Sequence, residues 1–166
     1  MADQKITCEQ CNNEMTSQRE NFLYKSCGLP NVTLEGVVVN RCPKCGEYEV
    51  EIPGMDELHK QIAQEVIRKP QKLAPEEIRF LRSFLGWSGT DFAKRFDVDP
   101  ATVSRWETGA TRMGGVAERL LRLCVAHDKP ISDYSSQALE EVAKEEAAPL
   151  KMGFRMGDDA HWQAAA

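Results

Sequence analysis

The chain has 166 residues, with 21 basic and 26 acidic side chains and a formal net charge of −5. This length suits two small domains, and the acidic balance argues against indiscriminate binding to polyanions, which requires many phosphates to be neutralised. Only residues 72–126 are net basic, with 9 basic and 7 acidic side chains. That segment allows a local nucleic-acid contact that depends on geometry.

The N-terminal sequence predicts a cytoplasmic protein without a membrane partner. The first 25 residues contain no apolar run of signal-peptide length, and no later run is long enough to span a bilayer. The chain has six cysteines. In a reducing compartment, cysteines in Cys-x-x-Cys pairs indicate metal ligands rather than disulfides.

Two such pairs predict a metal site formed by Cys8, Cys11, Cys42 and Cys45. Four thiolates without histidine or carboxylate favour a closed, structural Zn²⁺ site over a catalytic one, which keeps a position open for water. Gly46, and Asn12 or Asn13 in the first pair, would let each turn adopt positive φ. A redox Cys-x-x-Cys, unligated core cysteines and iron in a rubredoxin-like site are the alternatives.

The residues around these pairs predict a thin β structure followed by a helix. ENFLYKSCG and VTLEGVVVNR have strand composition and flank the turn signal GLPN. Met55, Leu58, Ile62 and Val66 then recur at helical spacing and predict a helix at about 55–68. Cys27 is interpreted as a packing residue and His59 as a surface residue of that helix.

From Pro75 onward, residues typical of helix starts and helix ends recur at regular intervals. A first helix begins at Pro75, a capping box of Ser88 and Asp91 starts a second that extends to Phe96, and Asp99 followed by Pro100 starts a third that ends at Gly109. Two short helices joined by a tight turn form a helix-turn-helix unit. A fourth helix carries Val116, Leu120, Leu123 and Cys124, which we expect on its apolar, core-facing side.

The third helix has two faces with different chemistry. Val103 and Trp106 should pack inward, whereas Ala101, Thr102 and Arg105 should face outward. Small residues near the helix start permit close approach to a major groove, Thr102 can contact a base edge, and Arg105 can reach guanine or a phosphate. A helical bundle with a merely solvated arginine is the simpler alternative, and the capping pattern makes it the weaker one.

LRSFLGWSGTDFAKRFDVDPATVSRWETG resembles the Xre/Cro helix-turn-helix family, and Cys8-x-x-Cys11 with Cys42-Pro-Lys-Cys45-Gly-Glu is similar to the YgiT-type zinc finger. In this order they resemble the MqsA-type antitoxins and related regulators over roughly residues 6–127. The resemblance implies a homodimer that represses transcription from a palindromic operator in double-stranded DNA and is nucleoid-associated when bound. It also implies that the zinc domain binds a toxin, usually a basic ribonuclease.

Carried over by motif position, the four cysteines match the zinc ligands, and Ala101, Thr102 and Arg105 match groove-facing positions. Ser88, Thr90 and Arg112 are candidates for phosphate contacts. One departure from the family pattern is Gly89, where many members carry a glutamine that braces the phosphate and the recognition helix.

The predicted fold class is α+β: a zinc-ribbon-like β domain at 1–70, an all-α helix-turn-helix domain at 71–130 with its own core, and an acidic helix and tail at 131–166. The tail is too apolar for a solvated segment, because it contains Leu150, Met152, Phe154, Met156 and Trp162. This composition predicts docking on a partner subunit; an unstructured or non-native end is the alternative.

The sequence leaves three candidate functions: an antitoxin and autorepressor, a stand-alone regulator without a toxin, and a Cys-x-x-Cys redox enzyme. We expect that the protein is not an enzyme, since its three histidines form no apparent acid–base group.

Overall fold

The computed structural model describes residues 6–128, 149–157 and 161–165. Within them lie strands β1 (Thr16–Leu23), β2 (Val32–Arg41) and β3 (Tyr48–Glu51), helices α1 (Met55–Arg68), α2 (Pro75–Phe84), α3 (Gly89–Arg95), α4 (Pro100–Thr108) and α5 (Gly115–Asp128), and strands β4 (Met152–Met156) and β5 (Trp162–Ala165). The α+β class is confirmed, and so is the helix at 55–68. The predicted acidic helix at 135–149 lies almost entirely outside the described residues.

A five-stranded mixed sheet is built around β2. β1 pairs antiparallel along one edge, while the other edge is shared by β3 at Val38–Arg41 and β4 at Val32–Glu35. The β4 pairing is parallel, and β5 pairs antiparallel with β4. The ENFLYKSCG segment is only partly strand, because β1 ends at Leu23 and Lys25–Cys27 form a 3₁₀ turn closed by Gly28.

The C-terminal segment docks on its own chain, which replaces the expectation of docking on a partner subunit. Phe154 is fully buried, and Met152 and Trp162 are nearly so. The Trp162 indole Nε1 donates to the carbonyl of Pro53 at 2.7 Å, just before α1 begins. Parallel pairing between strands far apart in sequence leaves no local signal, so sequence periodicity could not place this hairpin.

A single apolar core joins the sheet to the helices, so the expectation of two separate cores is wrong. On the sheet side α1 contacts β4 and β5, and on its other sides it packs against α2 and α5. The core is continuous from Leu34 through Ile62 to Leu81 and Phe92. Because α1 is apolar on more than one side, it is a shared layer rather than a linker.

The side of α5 that faces the core also differs from the prediction. Glu118, Leu121, Arg122 and Val125 face inward, whereas Val116, Leu120 and Leu123 are exposed and Cys124 is half-buried. The apolar pattern of α5 has two stripes, and the sequence alone does not identify the stripe that packs on α1.

A buried network of charged residues closes the junction between α1 and α2. Arg122 donates to the carbonyl oxygens of Ile67, Lys69 and Gln71 at 2.7–2.8 Å and to Glu118 Oε1 at 2.9 Å. Glu118 also accepts from the Leu73 backbone N–H at 3.0 Å. Arg122 therefore caps the carboxyl end of α1, where backbone carbonyls lack helical partners.

A second buried pair continues this network. The Lys69 ammonium lies 2.5 Å from Glu77 Oε2, and both side chains are almost fully buried. The same Glu77 oxygen accepts from the Ala74 N–H ahead of α2. The linker is thus held in place by paired charges, which buried charges require.

Candidate functional sites

The four predicted metal ligands lie together at the end of the sheet. All four Sγ atoms are within 4.8 Å of one another. Cys11 lies 3.4 Å from Cys42 and 3.6 Å from Cys45, and Cys8 lies 3.6 Å from Cys45, measured between sulfurs. A tetrahedron of thiolates at about 2.3 Å from Zn²⁺ has an S–S edge of about 3.8 Å. The four cysteines could therefore bind a metal ion, and their arrangement is consistent with zinc.

The two Cys-x-x-Cys turns have the same backbone hydrogen bonds. In each, the first cysteine's carbonyl accepts from the N–H four residues later, at Asn12 (2.8 Å) and Gly46 (3.0 Å). Each first cysteine also donates its N–H to the carbonyl five residues later, at Asn13 and Glu47. Asn12 and Gly46 have φ of 54° and 78°. Both predicted positive-φ positions are thus confirmed, with Asn12 in that role for the first pair.

The electrostatics of the cluster favour a bound cation. The backbone N–H groups of Cys45 and Lys44 lower the pKa of Cys42 to about 6. The Glu47 N–H acts to lower the pKa of Cys45, but hydrogen bonding to the neighbouring thiols outweighs it and raises that pKa to about 12. Four sulfurs this close cannot all ionise beside one another without a positive charge between them, and metal ligation requires thiolates.

The cysteine cluster has its own small apolar setting, separate from the main core. Cys8, Met15 and Cys42 are buried together, and Ile6 and Cys11 pack against them. Since so few apolar side chains support these turns, metal binding would contribute much of their stability.

The second candidate site is the surface formed by α3 and α4. Ser88 accepts from the Asp91 N–H at 3.1 Å, and Asp91 Oδ2 accepts from the Ser88 N–H at 3.0 Å, so the predicted capping box is confirmed. The Ser88 hydroxyl and backbone N–H lower the pKa of Asp91 and keep its carboxylate charged. Asp99 precedes α4 as predicted, but its side chain makes no capping hydrogen bond.

Helix α4 has the predicted inner and outer faces. Val103 and Trp106 are buried, whereas Ala101 and Arg105 are exposed and Thr102 is half-buried. Ser88, Thr90 and Arg112, the predicted phosphate contacts, are all exposed. Ser104 and Thr108 were not among the predicted contacts. Both are exposed beside Arg105, one helical turn apart, and their i, i+4 spacing was the available signal.

A salt-bridged cluster fixes the carboxyl end of α4 against α2. Glu107 accepts from the Arg82 guanidinium in a bidentate pair, and Arg79 Nη2 donates to the Glu107 carbonyl at 2.8 Å. Arg82 also donates to the carbonyl of Trp87, ahead of α3. These two arginines of α2 are engaged by Glu107 and Trp87, whereas Arg105, the one arginine of α4, is exposed.

Comparison of the chain with protein-family models and with curated proteins finds no match. Among the described residues, no helix combines the length and apolarity needed to cross a bilayer.

Proposed function

We propose that this protein is a sequence-specific DNA-binding transcriptional repressor that reads a palindromic operator through a helix-turn-helix formed by α3 and α4. The observation that carries the proposal is the outer face of α4: Ala101, Ser104, Arg105 and Thr108 are all exposed, while Val103 and Trp106 anchor the helix from behind. This face is narrow, has small residues at its leading end and carries one long donor, which suits entry into a major groove.

The surroundings of α4 support the same role. The N-terminus of α3 presents Thr90 to solvent, where its hydroxyl can contact phosphate. Ser88 is also exposed, but it donates both its N–H and its hydroxyl to Asp91, so a phosphate contact by Ser88 would have to replace that capping box. Arg112 is exposed beyond the end of α4. The Glu107 cluster holds α4 rigidly on α2, and a rigid helix is what base recognition needs because each contact depends on geometry.

In this proposal, the cysteine cluster holds a structural Zn²⁺ and no catalysis takes place there. Its role is to stabilise the end of the sheet, which would bind a partner protein. An antitoxin would bind a basic ribonuclease with this part of the chain, and residues 1–71 carry 11 acidic against 8 basic side chains, which complements such a partner.

The DNA-binding proposal is tested by selecting binding sequences from a random duplex library with the wild-type chain. We expect one enriched palindromic motif. Arg105→Ala should weaken binding to that motif by about 1–3 kcal/mol, or about 5- to 150-fold, as for loss of one good base contact. Arg19→Ala, an exposed arginine on β1, is the matched control and should leave affinity unchanged. Absence of any enriched sequence would contradict the proposed function. Unchanged affinity of Arg105→Ala would show that Arg105 makes no contact that matters for binding.

The partner is tested separately by affinity purification of the tagged chain from its native cells, with mass spectrometry of what is retained. A stoichiometric small basic protein supports the antitoxin role. Recovery of DNA without such a protein would instead indicate a regulator that works without a toxin.

A further inference from the structure

A small cavity lies where the linker between α1 and α2 meets the loop that joins α4 to α5. Its volume is about 140 Å³. Four of the side chains that line it are apolar and buried: Leu73, Ile78, Trp106 and Met113. A cavity of about 150 Å³ with apolar walls holds one benzene molecule, so this one has room for a single aromatic ring.

The walls of this cavity are held in place by contacts within the chain. Gly109 ends α4 with a φ of 77°, and a Cβ at that position would lie 3.1 Å from Cγ of Pro75, at the start of α2. The Thr111 N–H then donates to the Arg105 carbonyl at 3.2 Å, which turns the loop back toward α4. A ligand that enters a preformed cavity does not have to order its walls, and this lowers the entropic cost of binding.

The rim of the cavity is basic. Lys72 lines it and is half-buried, and Arg112 lines it and is exposed. Within the described part of the chain, no ion pair engages either side chain. Glu118 is the acidic residue of the wall, but its Oε1 accepts from the Arg122 guanidinium at 2.9 Å, so its charge is already balanced. The lining therefore has an excess of positive charge at its open end.

We propose that this cavity binds a small aromatic carboxylate, with the ring among the apolar walls beside Trp106 and the carboxylate at the rim with Lys72 and Arg112. Aromatic rings pack well on one another, and guanidinium and ammonium groups form strong, charge-assisted hydrogen bonds with carboxylates. The volume is too small for a nucleotide, whereas a free inorganic anion would leave the apolar walls without a partner.

Such a ligand would also regulate DNA binding, a consequence that rests on the proposed function. Arg112 is one of the proposed phosphate contacts, and a carboxylate paired with it competes with the phosphate for the same guanidinium. The bound ligand therefore lowers the affinity for the operator. By linkage, operator DNA lowers the affinity for the ligand by the same factor.

The site itself is measured without DNA, by titrating the ¹⁵N-labelled full chain with sodium benzoate at constant ionic strength. The chain has three tryptophans, and Trp106 is the one that lines this cavity, so the indole signals of Trp87 and Trp162 serve as internal references. We expect a saturable shift of the Trp106 indole signal with a Kd of about 1 mM or below. Benzamide, which has the same shape without the charge, should bind about 5-fold more weakly.

The test variant is Lys72→Gln with Arg112→Gln, which removes both rim charges. It should weaken benzoate binding at least about 5-fold, since one exposed ion pair contributes up to about that factor. Arg19→Gln with Lys25→Gln is the matched control, because it removes the same charge from exposed positions on the sheet side of the chain and should leave the Kd unchanged. Circular dichroism melting checks that both variants fold.

Three results would overturn the proposed site: no saturable shift of Trp106, equal shifts of all three indole signals, or equal binding by the wild type and the rim variant. Saturating benzoate should also raise the Kd for the selected operator several-fold, while benzamide at the same concentration should not. Benzoate binding that leaves operator affinity unchanged would overturn the regulatory role. Failure to select any operator contradicts the proposed function alone, because the titration of Trp106 does not depend on DNA.

Discussion

The buried guanidinium of Arg122 allows the strongest test of how the parts of this protein are joined. Arg122→Met keeps a long apolar side chain but removes the hydrogen bonds to three carbonyl oxygens and to Glu118. Because Arg122 is fully buried and Glu118 nearly so, water cannot replace these partners in the folded state. Breaking a buried ion pair by removing one member costs about 3–5 kcal/mol, and each stranded acceptor adds to that figure.

We therefore expect Arg122→Met to lower the free energy of unfolding by at least about 3 kcal/mol, a large share of the 5–15 kcal/mol typical of a folded domain. For a chain of this size, that loss corresponds to about 6–12 °C in Tm. The assay is thermal and denaturant unfolding monitored by circular dichroism, with one transition expected because the core is continuous.

The matched comparison is the double variant Arg122→Met with Glu118→Met. Removing both charges should recover part of the stability, because no unpaired carboxylate remains buried. A loss below about 1 kcal/mol in Arg122→Met, or a double variant less stable than the sum of its single changes, would refute the reasoning.

Three further outcomes follow from the structure. Cys42→Ser, or removal of metal by a chelator, should disorder the two cysteine turns while the main core keeps its helical circular dichroism, because the cluster around Met15 is separate from that core; loss of all helical signal would contradict this. Trp162→Ala should lower the free energy of unfolding by about 3–5 kcal/mol in denaturant titrations, as for a large buried aromatic residue, and an effect below 1 kcal/mol would show that the hairpin is dispensable. Burial lowers the pKa of His59 below 6.5, so the unfolded chain binds its proton first as pH falls. The contribution of His59 to the free energy of unfolding should therefore be complete above about pH 6.5 and decrease below it. His59→Gln should make the measured free energy of unfolding depend less on pH in that range.

His59 makes tertiary contacts that its position in a helical pattern does not predict. Helical spacing placed it correctly on α1, and the sequence prediction treated it as a surface residue. In the fold its Nε2 lies 3.0 Å from the Tyr24 hydroxyl, and its ring meets Phe80 of α2 edge-on. Only the packing of α1 between sheet and helices brings these residues together, since they are more than 20 positions apart in the chain.

The sequence by itself determined the features that depend on neighbours in the chain. The bounds of α1, the capping box of Ser88 and Asp91, the positive φ at Gly46 and the inward side of α4 all follow from local sterics and hydrogen bonding. The Cys-x-x-Cys spacing likewise predicted the sulfur cluster, because each pair is a local chelate.

Tertiary structure alone decided which surfaces meet. It placed the β4–β5 hairpin beside β2, turned Leu121 rather than Leu120 of α5 toward the core, and buried the charges of Lys69, Glu77, Glu118 and Arg122 at one junction. Each of these depends on burial against a distant segment, and the free energy of that burial depends on which partner is present rather than on any local pattern. The same physics that buries one stripe of α5 leaves the other exposed.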